Sequence, residues 1–246
     1  MEIIGTGFLA RHLRMREYRC PDVTALAAGV SGVARADAAG CERESSLLYD
    51  VLRRCRRDGR RLVFFSTASV YGLAAAPARE SDSVYPMSAY SRHKLALEQV
   101  VRMSGVRHLI LRVSSPVGPY QPEHQLVASL AAQVLSGTVT VWHGAARDLI
   151  DAADVAAIVA DLVDNGVWDE TINVASGVAV PIEQLVDELE RALGVAAQRC
   201  YAGTASAHRV SNEKLLRLAP ATVRLGFGPE YHRGLVQRAL GAAVHV

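Results

Sequence analysis

Tyr90 and Lys94 stand four residues apart in the segment YSRHK, and side chains of these two types can transfer a proton together. Residues at this spacing lie on one face of a helix. A phenol has a pKa of about 10, and a neighbouring ammonium lowers the pKa of a phenol because it favours the phenolate. Such a pair can exchange a proton with an alcohol or a carbonyl during hydride transfer. The alternative is a tyrosine that packs against a surface lysine.

A second candidate for chemistry is the glycine-rich segment GTGFLA, which contains Gly5, Gly7 and Ala10. It follows the apolar segment EIIG and opens an amphipathic stretch, which is the context of a dinucleotide-binding turn between a strand and a helix. Glycines allow a tight turn and a close approach of backbone to a pyrophosphate, and a helix N-terminus favours an anion. An ordinary strand-to-helix turn is the alternative.

Hydroxyl side chains follow a third predicted strand in the segment FSTASVYG. Ser66, Thr67 and Ser69 would stand at the carboxyl end of that strand, where open α/β sheets bind their ligands. One of these hydroxyls could hold the reacting oxygen beside Tyr90. The alternative is side-chain capping of the following loop, and this interpretation favours Ser69 over Thr67.

Short apolar runs alternate with amphipathic stretches along the chain, and this pattern predicts a parallel sheet covered by helices. The predicted strands span 2–5, 22–28, 61–66, 107–113, 139–142 and 171–176. The predicted helices span 8–17, 41–58, 87–105, 123–136, 151–163 and 181–194. The fold class is therefore α/β, with a doubly wound parallel sheet.

Composition limits the class of protein. The 246 residues carry a net charge of +2 and are 50% hydrophobic, as in an ordinary globular protein. This charge is too small to imply a nucleic-acid partner by itself, so a nucleic-acid role would rest only on the basic run at 53–61 and ranks third; we expect no nucleic-acid partner. No run of about 18 apolar residues predicts a membrane span, and no signal peptide is apparent. The four cysteines lack the spacing of a metal site or a disulfide framework, so we expect no metal and a cytoplasmic location. The basic run at 53–61 is interpreted as a solvated helix end rather than a phosphate site.

Taken in order, seven segments resemble the motifs of the extended short-chain dehydrogenase/reductase superfamily, in particular its NAD-dependent nucleotide-sugar epimerase, dehydratase and ketoreductase group. These segments are GTGFLA, LAAGVS, FSTASVYG, YSRHK, LRVSSPVGP, RDLIDAADVA and NVASG. The resemblance implies that Tyr90 is the catalytic acid/base, that Thr67 is the catalytic hydroxyl, and that Lys94 tunes the tyrosine and binds the nicotinamide ribose. It also explains why Lys94 is a lysine in a chain with 25 arginines and only one other lysine, since arginine has a higher pKa and a forked shape.

The resemblance further implies two sets of binding residues. Contacts to NAD or NADP are expected from Gly5, Gly7, Phe8, Leu9, Ala27, Ala28, Ser66 and Lys94. Contacts to a nucleotide-sugar substrate are expected from Ser69, Ser115 and Arg147, although a structural salt bridge is an equal alternative for Arg147. Asp148 and Asp154 are interpreted as structural residues, and His93 is expected to face away from the site.

The domain organisation expected from this resemblance is a Rossmann dinucleotide-binding domain over 1–115 and a small substrate-binding part over 116–246, with about 148–175 returning to the Rossmann sheet. A complete dinucleotide fold has an acid after its second strand, for the adenosine ribose. Here no acid follows the strand in DVTALAAGVS, and LAAGVS resembles the fourth strand of the family rather than the second. We therefore expect about two adenosine-side strands to be missing.

The expected function is NAD(P)-dependent reduction or epimerisation of a nucleotide-linked sugar. Dehydratases of the group carry Asp-Glu after the catalytic threonine, and Ala68 and Ser69 stand there instead, which disfavours 4,6-dehydration. The alternative is a catalytically inactive relative that binds a nucleotide or sugar or serves in assembly, and the missing strands favour it. The resemblance also implies a homodimer built from the helices near 41–58 and 87–104, where Leu95, Leu97, Val100 and Val101 were expected to contribute.

Overall fold

Secondary structure was assigned in a computed structural model that describes residues 1–32, 36–72, 76–205 and 207–241. The strands are β1 (Glu2–Ile4), β2 (Val23–Leu26), β3 (Arg61–Thr67), β4 (His108–Val113), β5 (Ser115–Val117), β6 (Thr138–His143), β7 (Ala146–Asp151), β8 (Glu170–Val174), β9 (Ala179–Pro181), β10 (Gln198–Thr204) and β11 (Ala207–His208). The helices are α1 (Phe8–Arg14), α2 (Ala38–Arg57), α3 (Ala89–Met103), α4 (Leu126–Leu135), α5 (Ala152–Asp164), α6 (Ile182–Leu193), α7 (Glu213–Leu218) and α8 (Tyr231–Gly241), and 3-10 helices span Ala68–Tyr71 and Pro220–Leu225.

The main sheet contains five parallel strands in the order β1-β2-β3-β4-β8. Its central strands β3 and β4 are buried on both faces, which explains their nearly continuous apolar sequences. One face packs against α1 and α5 through a core that includes Phe65, Leu111 and Ile158. The opposite face packs against α2 and α3 through a core that includes Phe64 and Leu48. Helices on both faces give the doubly wound arrangement that the sequence predicted.

Strand β1 lies at one edge of this sheet, because within the described residues it pairs only with β2. A complete dinucleotide-binding fold continues beyond its first strand with two further strands. Here the side chain of Arg14 covers part of the edge, since its Nη2 donates to the carbonyl oxygens of Ile3 (3.1 Å) and Gly5 (2.5 Å). Among the described residues the sheet thus ends at β1 on this side, and the loss of about two adenosine-side strands stays a prediction.

Residues after 116 build most of a second group of elements. Strands β11, β7 and β5 form a small parallel sheet to which β9 adds an antiparallel strand, and β6 pairs with β10. Helices α4, α6 and α8 close around a separate apolar core. Within the segment 148–175, α5 and β8 pack into the main sheet, whereas β7 belongs to the smaller sheet. The two-domain boundary at 115/116 stays a prediction.

Several predicted boundaries differ from the structure. Helix α1 ends at Arg14 rather than at 17, and α2 begins three residues earlier than predicted because the side chain of Asp37 accepts a hydrogen bond from the backbone N–H of Gly40. Strands β5, β7 and β9, and all elements after residue 194, were not predicted from the sequence. These strands are short or follow a turn closely, so periodicity alone does not reveal them.

Five of the six arginines of the run 53–61 contact carboxylates of the same chain. Arg54 and Arg60 both bind Glu2, at 2.8 and 3.2 Å, and Arg61 binds Asp22 at 2.6 Å while it stacks over the ring of Trp168. These contacts fasten the end of α2 and the start of β3 to the first two strands. They favour the structural interpretation of the run over a phosphate site.

Cys20 and Cys55 are buried, Cys41 is half-buried and Cys200 is exposed, and all four are free. Among the described residues, no helix combines the length and the apolar character needed to cross a membrane.

Candidate active site

A cavity of about 870 Å³ opens at the carboxyl ends of β1, β2, β3 and β4. Ligands bind at this edge in open α/β sheets, because the loops that follow the parallel strands meet there. The residues after β2, from Ala27 to Gly32, line the cavity together with residues 113–117, 121, 122 and 124–126. A hydrogen bond of 2.9 Å between Nε2 of His124 and the carbonyl oxygen of Ser31 joins these two stretches.

All thirteen residues named from the sequence for catalysis or binding line this one cavity. They are Gly5, Gly7, Phe8, Leu9, Ala27, Ala28, Ser66, Thr67, Ser69, Tyr90, Lys94, Ser115 and Arg147. The fold therefore brings together segments that are up to 142 positions apart in the chain. Their individual roles stay predictions.

Helix α3 presents Tyr90 and Lys94 to the cavity from a well-defined start. Ser88 and Ser91 form a reciprocal capping box at its N-terminus, each side chain accepting from the backbone N–H of the other. Tyr90, Lys94 and Glu98 follow at intervals of four on one face of the helix. Glu98 is completely buried and accepts a hydrogen bond of 2.5 Å from Ser66 on β3, so the helix is fastened to the strand that carries Thr67.

Lys94 is buried and makes two hydrogen bonds to the protein. Its Nζ lies 2.5 Å from Oε1 of Glu44 on α2 and 3.2 Å from the carbonyl oxygen of Phe65 on β3. Oε2 of Glu44 accepts from the backbone N–H of Val30 at 2.9 Å and lies 3.2 Å from Nε2 of His93. As expected, His93 does not line the cavity, but it does contact the carboxylate that binds Lys94.

Thr67 ends β3 and caps the 3-10 helix Ala68–Tyr71. Its Oγ1 accepts a hydrogen bond of 3.1 Å from the backbone N–H of Ser69. The interpretation that Ser69 rather than Thr67 caps this loop was therefore wrong, because extended backbone at Thr67 places its hydroxyl over the first turn. The hydroxyl proton of Thr67 is still available for donation, since its oxygen is the acceptor in this contact.

The glycine turn packs closely on the neighbouring strand. Gly5 has φ +123°, and a Cβ at this position would lie 2.3 Å from the carbonyl oxygen of Ala27, so a larger residue does not fit. At Gly7 the space around a Cβ is open for 4 Å, so a ligand can approach its backbone. Gly5 thus allows the ends of β1 and β2 to pack closely, and Gly7 leaves its own backbone accessible to a ligand in the cavity.

Arg147 lies on β7 and also lines the cavity. Burial lowers the pKa of its guanidinium, and its Nη1 donates to the carbonyl oxygen of Ala146 at 2.9 Å. The adjacent Asp148 is buried and accepts hydrogen bonds from Ser114, from the backbone and side chain of Ser176, and from the backbone of Gly177. Burial raises the pKa of Asp148 to about 7 against the effect of these hydrogen bonds. These contacts support the structural interpretation of Asp148.

Asp154 also has a structural contact, since the hydroxyl of Tyr231 donates to its Oδ2 at 2.5 Å and joins α5 to α8. Sequence reasoning missed Glu44, which binds Lys94, and Ser114, which lines the cavity and donates to Asp148. The available signal for Glu44 was an acid on the apolar face of a predicted helix, four residues before Leu48. It lay 50 residues before Lys94, and no spacing rule links two helices.

The sequence model of the NAD dependent epimerase/dehydratase family matches residues 10–175, about two thirds of the chain. The chain belongs to this family. This confirms the family resemblance that the sequence motifs indicated.

Two curated relatives are similar to part of this family member. A dTDP-6-deoxy-L-talose 4-dehydrogenase (NAD(P)(+)) of Kitasatospora kifunensis is 30% identical over 152 residues, which cover 55% of this chain and 47% of the relative. A dTDP-glucose 4,6-dehydratase of Mycobacterium tuberculosis is 32% identical over 139 residues, which cover 52% of this chain and 42% of the relative. The chain therefore spans about half the length of the curated relatives it matches.

Solved structures share the fold over nearly the whole chain. RMD from Pseudomonas aeruginosa, complexed with NADPH, superimposes with a TM-score of 0.81 at 21% identity and covers 98% of this chain and 97% of that chain. UDP-glucose 4-epimerase of Thermus thermophilus, in complex with NAD, gives a TM-score of 0.74 at 23% identity and covers 96% of this chain and 82% of that chain. At these identities the likeness establishes the α/β fold alone.

Proposed function

We propose that this protein is an NAD(P)-dependent oxidoreductase or epimerase that acts on a nucleotide-linked sugar. The observation that carries the proposal is the meeting of Thr67, Tyr90 and Lys94 with the Gly5–Gly7 turn in one cavity. A proton-transferring pair and a glycine turn beside it are the two parts that hydride chemistry on an alcohol or ketone needs.

The residues present fit a nicotinamide dinucleotide over part of its length. Gly7 leaves room for close approach of a ligand, and Lys94 lines the same cavity. The adenosine end has less support, since β1 is an edge strand and Arg14 occupies the hydrogen-bonding positions beside it. We infer that the Rossmann half is shortened here, and that the cofactor is held mainly at its pyrophosphate and nicotinamide ends.

In the proposed reaction, Tyr90 exchanges one proton with the reacting oxygen of the sugar. Its phenolate takes the proton of a hydroxyl when the sugar carbon is oxidised, and its phenol returns a proton when a ketone is reduced. Thr67 donates a hydrogen bond to the same oxygen and holds it beside the tyrosine. The nicotinamide, when bound, accepts or supplies the hydride.

On the substrate side, Ser69, Ser115 and Arg147 are the proposed contacts. A guanidinium at the cavity wall suits a diphosphate, because it offers several donors together with a positive charge. Ala68 and Ser69 follow Thr67 where dehydratases carry an acid and a base, and Ala68 is buried. Reduction or epimerisation is therefore proposed in preference to dehydration.

A second candidate is a non-catalytic relative that binds a nucleotide or sugar, or that serves in assembly. Two observations favour it: β1 forms an edge where adenosine-side strands would lie, and Lys94 is already paired with Glu44. The intact set of Thr67, Tyr90 and Lys94 in one cavity favours the enzyme.

The test is whether the purified protein holds a nicotinamide cofactor. The purified protein is denatured, and the small molecules that it releases are analysed by chromatography for NAD and NADP. The apoprotein is then titrated with each cofactor. Binding of either cofactor, together with its reduction or oxidation in the presence of one of a set of UDP- and dTDP-sugars, is the expected result. Failure to bind either cofactor at millimolar concentration would favour the non-catalytic alternative.

A further inference from the structure

Lys94 is joined to the rest of the site by a buried carboxylate that the proposed chemistry does not use. Glu44 is 4% exposed and Lys94 is 5% exposed, and their charged atoms lie 2.5 Å apart. Each partner therefore removes the cost of burying the other, since a buried charge is tolerated only when it is paired and hydrogen-bonded.

The other oxygen of Glu44 binds the wall of the cavity. It accepts from the backbone N–H of Val30 at 2.9 Å, and Nε2 of His93 lies 3.2 Å away. Val30 belongs to the stretch Ala27–Gly32 that lines the cavity. One carboxylate thus connects α2, α3 and the loop after β2.

Gly29 is the residue that makes this arrangement possible. A Cβ at this position would lie 2.3 Å from Oε1 of Glu44, so any side chain here would displace the carboxylate from Lys94. The atom that would have to move is the end of a flexible side chain. We therefore expect that Gly29→Ala shifts Glu44 and leaves the backbone fold intact.

We propose that Glu44 is a positioning residue for Lys94. The Glu44 carboxylate holds the ammonium of Lys94 against the end of β3 and connects it to the loop Ala27–Gly32, which lines the cavity. An ammonium has three N–H donors. Glu44 and the carbonyl of Phe65 take two of them, which leaves one to meet a ligand. Lys94 is thus oriented before any ligand arrives, and it offers a single directed hydrogen bond.

The chain provides a matched control for this proposal. Lys94 and Lys214 are its only lysines, and Lys214 makes the same kind of contacts, to Glu170 at 2.7 Å and to the carbonyl oxygen of Thr171 at 2.8 Å. Neither Lys214 nor Glu170 lines the cavity. Glu170→Gln therefore removes a lysine–glutamate pair of the same chemistry at a distance from the site, where the two side chains are more exposed, at 21% for Lys214 and 42% for Glu170.

The first experiment is nuclear magnetic resonance of the full chain labelled with ¹⁵N at lysine Nζ, without any cofactor. The two ammonium signals are assigned with Lys94→Met and Lys214→Met. Glu44→Gln and Gly29→Ala are each expected to accelerate hydrogen exchange at Lys94 Nζ by about tenfold or more, and Glu170→Gln to change only the signal of Lys214. An exchange rate of Lys94 that stays within about twofold in both Glu44→Gln and Gly29→Ala would overturn the proposal.

The second experiment asks whether Glu44 acts through Lys94, and it rests on the proposed function. Cofactor affinity is measured for the wild type, Glu44→Gln, Lys94→Met and the double variant. Glu44→Gln is expected to weaken binding by about tenfold in the wild type and to have no further effect beside Lys94→Met. Additive losses would mean a merely structural role and would contradict the proposal.

The two experiments separate the two hypotheses. If the wild type binds no cofactor, the proposed function fails while the exchange measurement still decides the role of Glu44. If the wild type binds cofactor and Glu44→Gln leaves both the exchange rate and the affinity unchanged, the positioning role fails and the proposed function stands.

Discussion

Glu98 and Arg112 form a two-point ion pair beneath the cavity, with Oε1 3.0 Å from Nε and Oε2 2.8 Å from Nη2. The same carboxylate accepts from Ser66 and from Arg102, so it joins α3 to both β3 and β4. The pair therefore fixes the helix that carries Tyr90 and Lys94 against the strand that carries Thr67.

Removal of this carboxylate should destabilise the whole fold. Glu98→Gln leaves the buried guanidinium of Arg112 without its counter-charge, and breaking a buried pair on one side costs about 3–5 kcal/mol. The free energy of unfolding is measured by urea denaturation. The control is Arg79→Gln, which breaks the exposed pair with Glu213 and should cost less than about 1 kcal/mol. Equal effects of the two substitutions would contradict the prediction.

The same ion pair predicts a loss of stability in acid. Burial alone would raise the pKa of Glu98, but the hydrogen bonds and the charge of Arg112 outweigh burial and hold that pKa below its ordinary value. The stabilisation by this carboxylate is therefore present above its unfolded pKa and is lost as pH falls through its folded pKa. The stability difference between wild type and Glu98→Gln should shrink as the pH is lowered below about 4.

The raised pKa of Asp148 predicts the opposite dependence of folding stability on pH. Burial raises its pKa to about 7, well above the unfolded value, so the protonated carboxyl is favoured in the folded state. Its contribution to stability is full below the unfolded pKa and is lost as pH rises toward 7. Melting temperatures of wild type and Asp148→Asn, measured from pH 4 to pH 8, should diverge in favour of the variant as pH increases. Parallel curves would contradict the prediction.

Tyr90→Phe tests the proposed acid/base. The substitution removes the only proton that the side chain can transfer, and turnover should fall by about 10² or more, the usual scale for general acid–base catalysis. Circular dichroism and melting temperature should stay unchanged. Tyr85→Phe is the control, because Tyr85 is 72% exposed and does not line the cavity. Turnover of Tyr90→Phe close to that of Tyr85→Phe would exclude this role for Tyr90.

Cofactor binding should be weak and should discriminate little between NAD and NADP. Few groups are available for the adenosine ribose beside the edge strand β1, and no acid directly follows β2 to repel a 2′-phosphate. Each lost hydrogen bond to a charged partner costs about 1.5–3 kcal/mol, and each 1.4 kcal/mol is about tenfold in affinity. Calorimetric titration with both cofactors measures this directly. Submicromolar binding with a large preference for one cofactor would show that the adenosine end is held in another way.

A homodimer through α2 and α3 stays a prediction, but the four apolar residues named for it from the sequence face the interior of the subunit. Leu97 and Val101 belong to the core beneath α2 and α3, and Val100 is partly buried against that core. Leu95 is partly buried against a smaller core that includes Val70 and Tyr71. The outer face of α3 instead presents Arg92, Ala96, Gln99 and Met103. Light scattering at micromolar concentration should report a dimer, and Ala96→Glu should shift it toward the monomer. A monomer mass for the wild type would contradict the prediction.

The strand-helix pattern, the glycine turn, the Tyr90–Lys94 pair and the hydroxyls at the end of β3 could be predicted from the sequence for local reasons, whereas the other residues that line the cavity were implied by the family resemblance. Central parallel strands are buried on both faces and read as apolar runs, and a glycine turn between a strand and a helix has a recognisable composition. The spacing of four between Tyr90 and Lys94 already placed both on one helical face. Because ligands bind at the carboxyl ends of parallel strands, residues after several strands could be assigned to one site.

Only the tertiary structure decided which side chains hold those residues in place. Glu44 reaches Lys94 from another helix through the space left by Gly29, and Glu98 on α3 reaches Arg112 on the face of β4 that α3 covers. Such contacts depend on the distances between elements, which neither periodicity nor spacing along the chain specifies. The same holds for Thr67, whose role as a cap follows from the direction of the backbone where β3 ends.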